Sequence, residues 1–190
     1  MMPRIAAAEP PFAPDIKDAL DRIMPPGVPP LTLFTTVARN PRVFARMMAG
    51  GLLDKGSLTL REREIMIDRT CARCGSEYEW GVHVAMFGEK AGLTPEQLAA
   101  TVLDSAGDAG WSARDRLVLR TADELHEASS LSDGLWRELR AEFDEEQILE
   151  LIAIAGFYHT ISYLTNALQI PLESYAARFP SKPQPMKAAR

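Results

Sequence analysis

The chain has 190 residues, enough for one domain with a sizeable core, in a composition ordinary for a globular protein. A net charge of −5 and the lack of any basic stripe argue against nucleic-acid binding. Two cysteines within four residues make no disulfide framework, and MMPRIAAAEPPFAP has no apolar stretch of signal type, so a reducing cytoplasm is the expected location.

Helix-start chemistry recurs along the chain while strand alternation is nearly absent, so the expected fold is all-α, with about eight or nine helices. Residues 1–13 and 180–190 read as flexible arms flanking one helical domain over 14–179. The spacing predicts helices over 15–24 and 31–39, separated by the Pro/Gly connection 25–30. Asn40 before Pro41 opens a helix over 41–50. Thr59/Glu62, Ser76/Glu79 and Thr94/Gln97 have capping-box spacing and open helices over 60–74, 77–91 and 95–103. After an Asp/Gly connection at 104–110, Ser112, Ser132 and Asp144 head helices over 112–128, 133–142 and 145–168. The apolar stretch 148–168 holds Glu150, His159, Thr160, Ser162, Thr165 and Asn166. That is too polar for a membrane span and reads as a central buried helix.

Chemistry concentrates in LREREIMIDRTCARCGSEYEWGVHVAMFGEKAGL, residues 60–93. On a wheel of about 100° per residue, Glu64 falls on the apolar stripe of Leu60, Ile67, Cys71 and Cys74. Arg61, Glu62, Arg63, Asp68, Arg69 and Arg73 fill the remaining surface. Glu64 is either a buried carboxylate serving a site or the partner of a neighbouring arginine. On the next helix Glu79 and His83, one turn apart, both point into an apolar arc containing Tyr78, Trp80, Val82, Met86 and Phe87. An imidazole beside a carboxylate in a dry pocket moves protons, although the Ser76 capping box alone would also account for Glu79. Trp80, Phe87 and Tyr158 are candidate substrate-binding residues. His126 reads as a surface residue.

Cys71 and Cys74 form C-A-R-C, which in a cytosolic chain points to a redox dithiol. Their place late in a helix, on its apolar stripe, fits small buried hydrophobes better. A zinc site would need two more ligands, with only His83 close in sequence, so no metal is expected.

The 60–93 segment, with the downstream GFYHTISYLTNALQIPLE, resembles the carboxymuconolactone decarboxylase family and its alkylhydroperoxidase D-like (AhpD-like) superfamily. The resemblance implies an all-helical protomer in trimers or hexamers, with pockets near subunit contacts. The peroxidase branch keeps a glutamate, a Cys-x-x-Cys pair and a histidine four residues later. Anchored on His83, its cysteine positions fall on Ser76 and Glu79, its relay glutamate on Glu64 and another relay position on Tyr78. The Tyr78–Glu79–Trp80–His83 pattern lies nearer the decarboxylase side, which acts on a lactone bearing a carboxylate without metal or organic cofactor. The implied function is a cofactor-independent acid–base lyase or isomerase on a small carboxylate or lactone. Its catalytic set would be His83, Glu79, Glu64, Tyr78 and Ser76, with Arg42, Arg69 or Arg73 to offset substrate charge. The alternatives are a peroxiredoxin-type peroxidase using Cys71 and Cys74, and a non-catalytic, ligand-binding oligomer.

Overall fold

The computed structural model describes residues 2–103 and 109–180. Most of the 104–110 connection and all but the first residue of the expected 180–190 tail therefore lie outside the described residues. Within them the chain is all-helical: α1 Pro14–Ile23, α2 Thr32–Val37, α3 Pro41–Ala49, α4 Leu60–Arg73, α5 Glu77–His83, α6 Pro95–Leu103, α7 Ala113–Ala128, α8 Asp133–Glu142 and α9 Glu145–Leu168. Helix ends agree with the sequence reading to within two residues, except over 77–91, because the caps are local. Asn40, Thr59, Ser76, Ser112, Ser132 and Asp144 each accept the expected backbone N–H.

Helix α4 is the axle of the fold, packed against α5, α6, α7 and α9. The expectation that its polar residues form a solvated surface is overturned, since Glu62, Asp68 and Arg69 are buried. Helix α7 covers that side with complementary charges: Arg61 bonds Asp115, Arg69 bonds Asp123 at 2.6 Å, and Arg73 pairs with Glu127. All three pairs share a sequence offset of 54, so α4 and α7 run in the same direction with side chains in register. Arg114 pairs with Glu62 beside the Arg61–Asp115 pair, with the charges exchanged between the helices.

Two apolar clusters flank this axle. One joins α4 to α6, α7, α8 and α9 through Ile65, Ile67, Val118, Leu135 and Leu151. The other joins α1–α3 to Tyr78 and Val82 of α5 and Ile161 of α9. Helix α9 is long and apolar enough, by length and composition, to cross a membrane, yet one face of it belongs to both clusters. Its other face is open in the single chain: Leu149 and Tyr163 are 67% and 65% exposed, and Ile152 lies on the same side.

Both ends of the domain are tied down by hydrogen bonds. Arg4 N–H donates to the Leu168 carbonyl and Ala8 N–H to that of Thr35. At the other end, Ala177 N–H donates to the Gly81 carbonyl at 3.0 Å, and Phe179 packs edge-on against Trp80. Glycine inside a helix costs roughly 1 kcal/mol. Here it is required, because a Cβ on Gly81 would lie 2.2 Å from the Ala177 carbonyl oxygen. Gly81→Ala is expected to displace residues 176–179 and to lower stability by about 1–3 kcal/mol in urea unfolding, with faster tryptic cleavage after Arg178.

Candidate functional site

Three helices bring ionisable groups to one point. Along α4, Glu64, Asp68 and Cys71 recur at i, i+4 and i+7 and share a face. Gly75, at φ +65°, takes the left-handed turn that reverses the chain into α5, where Ser76 caps the helix. Helix α5 then carries Glu79 and His83 back over the α4 face, and α9 supplies Tyr158.

His83 is buried and bonded at both nitrogens. Its Nδ1 lies 2.8 Å from Glu64 Oε2, and its Nε2 lies 3.0 Å from the Tyr158 hydroxyl and 3.5 Å from Glu79 Oε1. Behind it, Arg63 Nε donates to the other Glu64 oxygen at 3.2 Å. A chain of contacts thus runs Arg63–Glu64–His83–Tyr158. Burial opposes a charge on His83, but bonding to Glu64 and then Glu79 outweighs it and holds the imidazole pKa up to about 10. At neutral pH His83 is therefore a cation that donates from both nitrogens. Burial, reinforced by Glu79 and Glu64, pushes the Tyr158 phenol well above its usual range, so it keeps its proton.

Beyond Tyr158 and His83 opens a cavity of about 360 Å³. Its walls are mostly apolar: Met24, Leu31 and Leu33 from the N-terminal layer, Met47 from α3, and Phe87 and Phe157. Glu79, His83 and Tyr158 are its polar groups, joined by Asp54, an exposed residue. No lysine or arginine is among the described residues that line it, so His83 is its one source of positive charge among them. Glu79 Oε2 is buried without a hydrogen-bond partner among the described residues. At the rim Leu52 holds a positive φ of 44°, unusual for a residue with a branched side chain.

The expected continuous helix over 77–91 is interrupted here. Val84–Gly88 form a π-helical turn directly after His83, a widening common at functional sites. Phe87 on this turn packs beside the imidazole with ring centroids 5.4 Å apart.

Residues 40–124, a span carrying Glu64, Glu79 and His83, match the Carboxymuconolactone decarboxylase family model. This central region is similar to the carboxymuconolactone decarboxylase family, and the chain as a whole has an AhpD-like fold. Similar solved structures agree on the fold. A peroxidase-related protein from Silicibacter sp. TM1040 superposes with a TM-score of 0.79 at 18% identity, covering 95% of this chain and 99% of its own. An AhpD-core, peroxidase-related protein from Ralstonia eutropha JMP134 gives 0.73 at 20% identity, covering 92% and 94%. A cysteine-to-alanine variant of the debrominase Bmp8 in complex with 2,3,4-tribromopyrrole gives 0.68 at 15%, with the same coverage. A search of curated proteins finds no match.

Of the site residues expected from this superfamily, Glu64, Glu79 and His83 do come together, and Phe87 and Tyr158 line the cavity. The others lie elsewhere. Tyr78 accepts from Leu33 N–H at 3.1 Å and donates to Glu173, bracing α5 against α2 and the C-terminal segment. Ser76 bonds Thr165 at 2.8 Å behind the α5 cap. Trp80 faces the opposite core, donating to Thr101 at 2.9 Å. Tyr78 and Trp80 are each turned about 100° from Glu79 to either side, and Ser76 is the cap that precedes the helix. Arg69 and Arg73 pair with α7 acids, and neither they nor Arg42 lines the cavity. Cys71 is fully buried, and burial, with Glu79 and Asp68 adding to it, pushes its thiol well up; burial also raises Cys74. Both shifts are opposite to those of an activated thiolate.

Asp68 is the residue the sequence reading missed. It is 1% exposed, and neither carboxylate oxygen finds a hydrogen-bond partner among the described residues. Burial, with nearby Glu64 adding to it, raises its pKa well above the usual range, against the opposing pull of His83. Burial thus favours the protonated form of Asp68 in the folded protein. Its i, i+4 relation to Glu64 was the available signal. A raised carboxyl pKa means that the folded state binds the proton more tightly, so stability falls as pH rises above the ordinary carboxylate range. Asp68→Asn removes that cost. We expect it to be more stable than the parent by about 1–3 kcal/mol at pH 8 in urea unfolding, with the gap closing towards pH 4.

Proposed function

We propose that this chain is a cofactor-independent acid–base enzyme, a lyase or isomerase, acting in the 360 Å³ cavity on a small ring compound. The observation that carries this reading is the pairing, at one end of an apolar cavity, of an unpartnered Glu79 oxygen with a proton-donating His83–Tyr158 unit. Glu79 is the base and takes a carbon-bound proton next to a carbonyl. The electron pair moves onto the carbonyl oxygen, where the Tyr158 O–H, backed by the His83 cation, stabilises the developing charge. Return of the proton at another carbon gives isomerisation; expulsion of a substituent gives a lyase. Glu64 and Arg63 fix the ring and charge of His83, so Glu64, rather than Glu79, is the orienting acid.

Between the carboxylates and lactones that the superfamily resemblance implies, this cavity favours an uncharged lactone. A carboxylate there would meet Glu79 and Asp54 with no lysine or arginine in the lining, and the charge of His83 is already paired with Glu64. A debrominase sharing the fold carries a small neutral ring, 2,3,4-tribromopyrrole. The test is hydrogen exchange in D2O across a panel of neutral lactones and β-keto lactones, followed by NMR. Enzyme-dependent deuteration that is lost in Glu79→Gln supports the assignment; exchange that survives both Glu79→Gln and His83→Gln contradicts it.

A thiol peroxidase is the second reading, favoured by the peroxidase-related names of two structural neighbours. It requires Cys71 and Cys74, and undiminished peroxide turnover by a Cys71→Ser/Cys74→Ser double variant would exclude it. We further propose a homo-oligomer that covers the open α9 face of Leu149, Ile152 and Tyr163. Light scattering that shows only a single-chain mass would contradict this.

A further inference from the structure

Away from the cavity, Cys74, His126 and His159 meet at one point, although none of them is near another in sequence. Cys74 is the C-cap of α4, His126 lies in the last turn of α7, and His159 lies midway along α9. Cys74 Sγ is 3.7 Å from His126 Nδ1, which is 3.1 Å from His159 Nε2, and the three ligand atoms all lie within 4.8 Å of one another. A tetrahedral zinc ion with Zn–S of about 2.3 Å and Zn–N of about 2.05 Å sets its ligands roughly 3.6 Å (S to N) and 3.3 Å (N to N) apart. The Cys74–His126 and His126–His159 separations already stand near those values, and Cys74 and His159 lie within 4.8 Å of each other.

We propose that Cys74, His126 and His159 form a binding site for a divalent cation of the zinc class, with water in the fourth position. The ligand orientation is built in. His159 Nδ1 lies 2.8 Å from the Ala155 carbonyl, an acceptor only, so Nδ1 keeps its proton and Nε2 offers its lone pair towards His126 and Cys74. This is the outer-shell hydrogen bond that metal-bound histidines generally make. Tyr163 packs edge-on against the His159 ring at 6.3 Å. All three ligands are partly exposed, so water reaches the fourth position. Binding displaces the Cys74 thiol proton to solvent and shifts the His126 proton from Nδ1 to Nε2.

A thiolate with two imidazoles suits Zn²⁺ in preference to Mg²⁺ or Ca²⁺, which take oxygen ligands. The ion would pin the end of α4 to α7 and α9. It would also withhold Cys74 from any disulfide with Cys71, so site occupancy and a Cys71–Cys74 redox cycle are mutually exclusive.

The experiment is a titration of chelator-stripped full-length protein with Co²⁺, followed by displacement with Zn²⁺. The expected result is one Co²⁺ per chain, with a thiolate-to-cobalt charge-transfer band and the visible bands of a tetrahedral site, all removed by one equivalent of Zn²⁺. Cys74→Ser should abolish the charge-transfer band. His159→Gln should weaken binding by at least about 100-fold, more than loss of an outer-shell partner costs. Cys71→Ser should bind like the parent. Should a ligand variant fail to fold, alkylation of the parent protein gives the same answer, since Zn²⁺ must slow modification of Cys74. The proposal is overturned by absence of the band, by its survival in Cys74→Ser, by unchanged affinity in His159→Gln, or by alkylation of Cys74 indifferent to Zn²⁺.

Discussion

His83→Gln is expected to lower turnover of the cavity's substrate by about 10²–10⁴-fold with little change in KM. Glutamine fills much the same volume and still reaches Glu64 and Tyr158. What it lacks is the positive charge held between them, which matters only as negative charge develops on the substrate. Glu79→Gln removes the base and should cost a similar factor. The double variant should lose little more than either single one, because base and acid serve the same transition state. Tyr78→Phe is the informative control. Its hydroxyl braces Leu33 and Glu173 outside the cavity, so it should alter stability far more than rate. Steady-state kinetics on a substrate identified by deuterium exchange would check all four variants.

The second large effect concerns pH. A histidine whose folded pKa is raised from about 6.5 to about 10 contributes stability that is fully present below about 6.5 and is lost as pH rises through about 10. The parent protein should therefore lose stability across that window. Glu64→Gln removes the main group that raises the His83 pKa and leaves only Glu79 to oppose the effect of burial. We expect this variant to be less stable by about 3 kcal/mol at pH 6, near the lower end for breaking a buried ion pair. The deficit should shrink to little by pH 10.5, when the parent imidazole has also lost its charge. Urea unfolding of both proteins at half-unit pH steps measures it. A deficit that does not vary with pH would assign Glu64 a packing role only.

These two outcomes separate what was legible in the chain from what was not. Helix ends could be read because a cap such as Thr59 with Glu62 is settled within four residues. The Glu79–His83 pair could be read for the same reason, and Glu64 could be read from its place on the α4 stripe. Direction around the short helix α5 was harder. Tyr78 and Trp80 flank Glu79 in sequence, yet each is turned about 100° from it, into a different core. The π-helical turn after His83 interrupts a stretch, 77–91, whose helical pattern reads as continuous.

Long-range partners were out of reach for a different reason. The charges of α4 looked solvated because nothing in residues 60–74 reveals that α7 lays Asp115, Asp123 and Glu127 against them 54 positions later. The cavity wall comes from Met24, Leu31, Leu33 and Met47, in helices that carry no chemical signal of their own. Cys74 likewise lacks ligands in its own segment and finds His126 and His159 only after folding.

The most direct test of this account needs no substrate. Nitrogen chemical shifts of the His83 side chain, recorded by NMR on ¹⁵N-histidine-labelled protein and assigned with His83→Gln, report its charge and its titration. The account predicts a doubly protonated imidazolium at pH 7.5 that deprotonates near pH 10. A neutral ring at pH 7.5, or titration near pH 6, would contradict it.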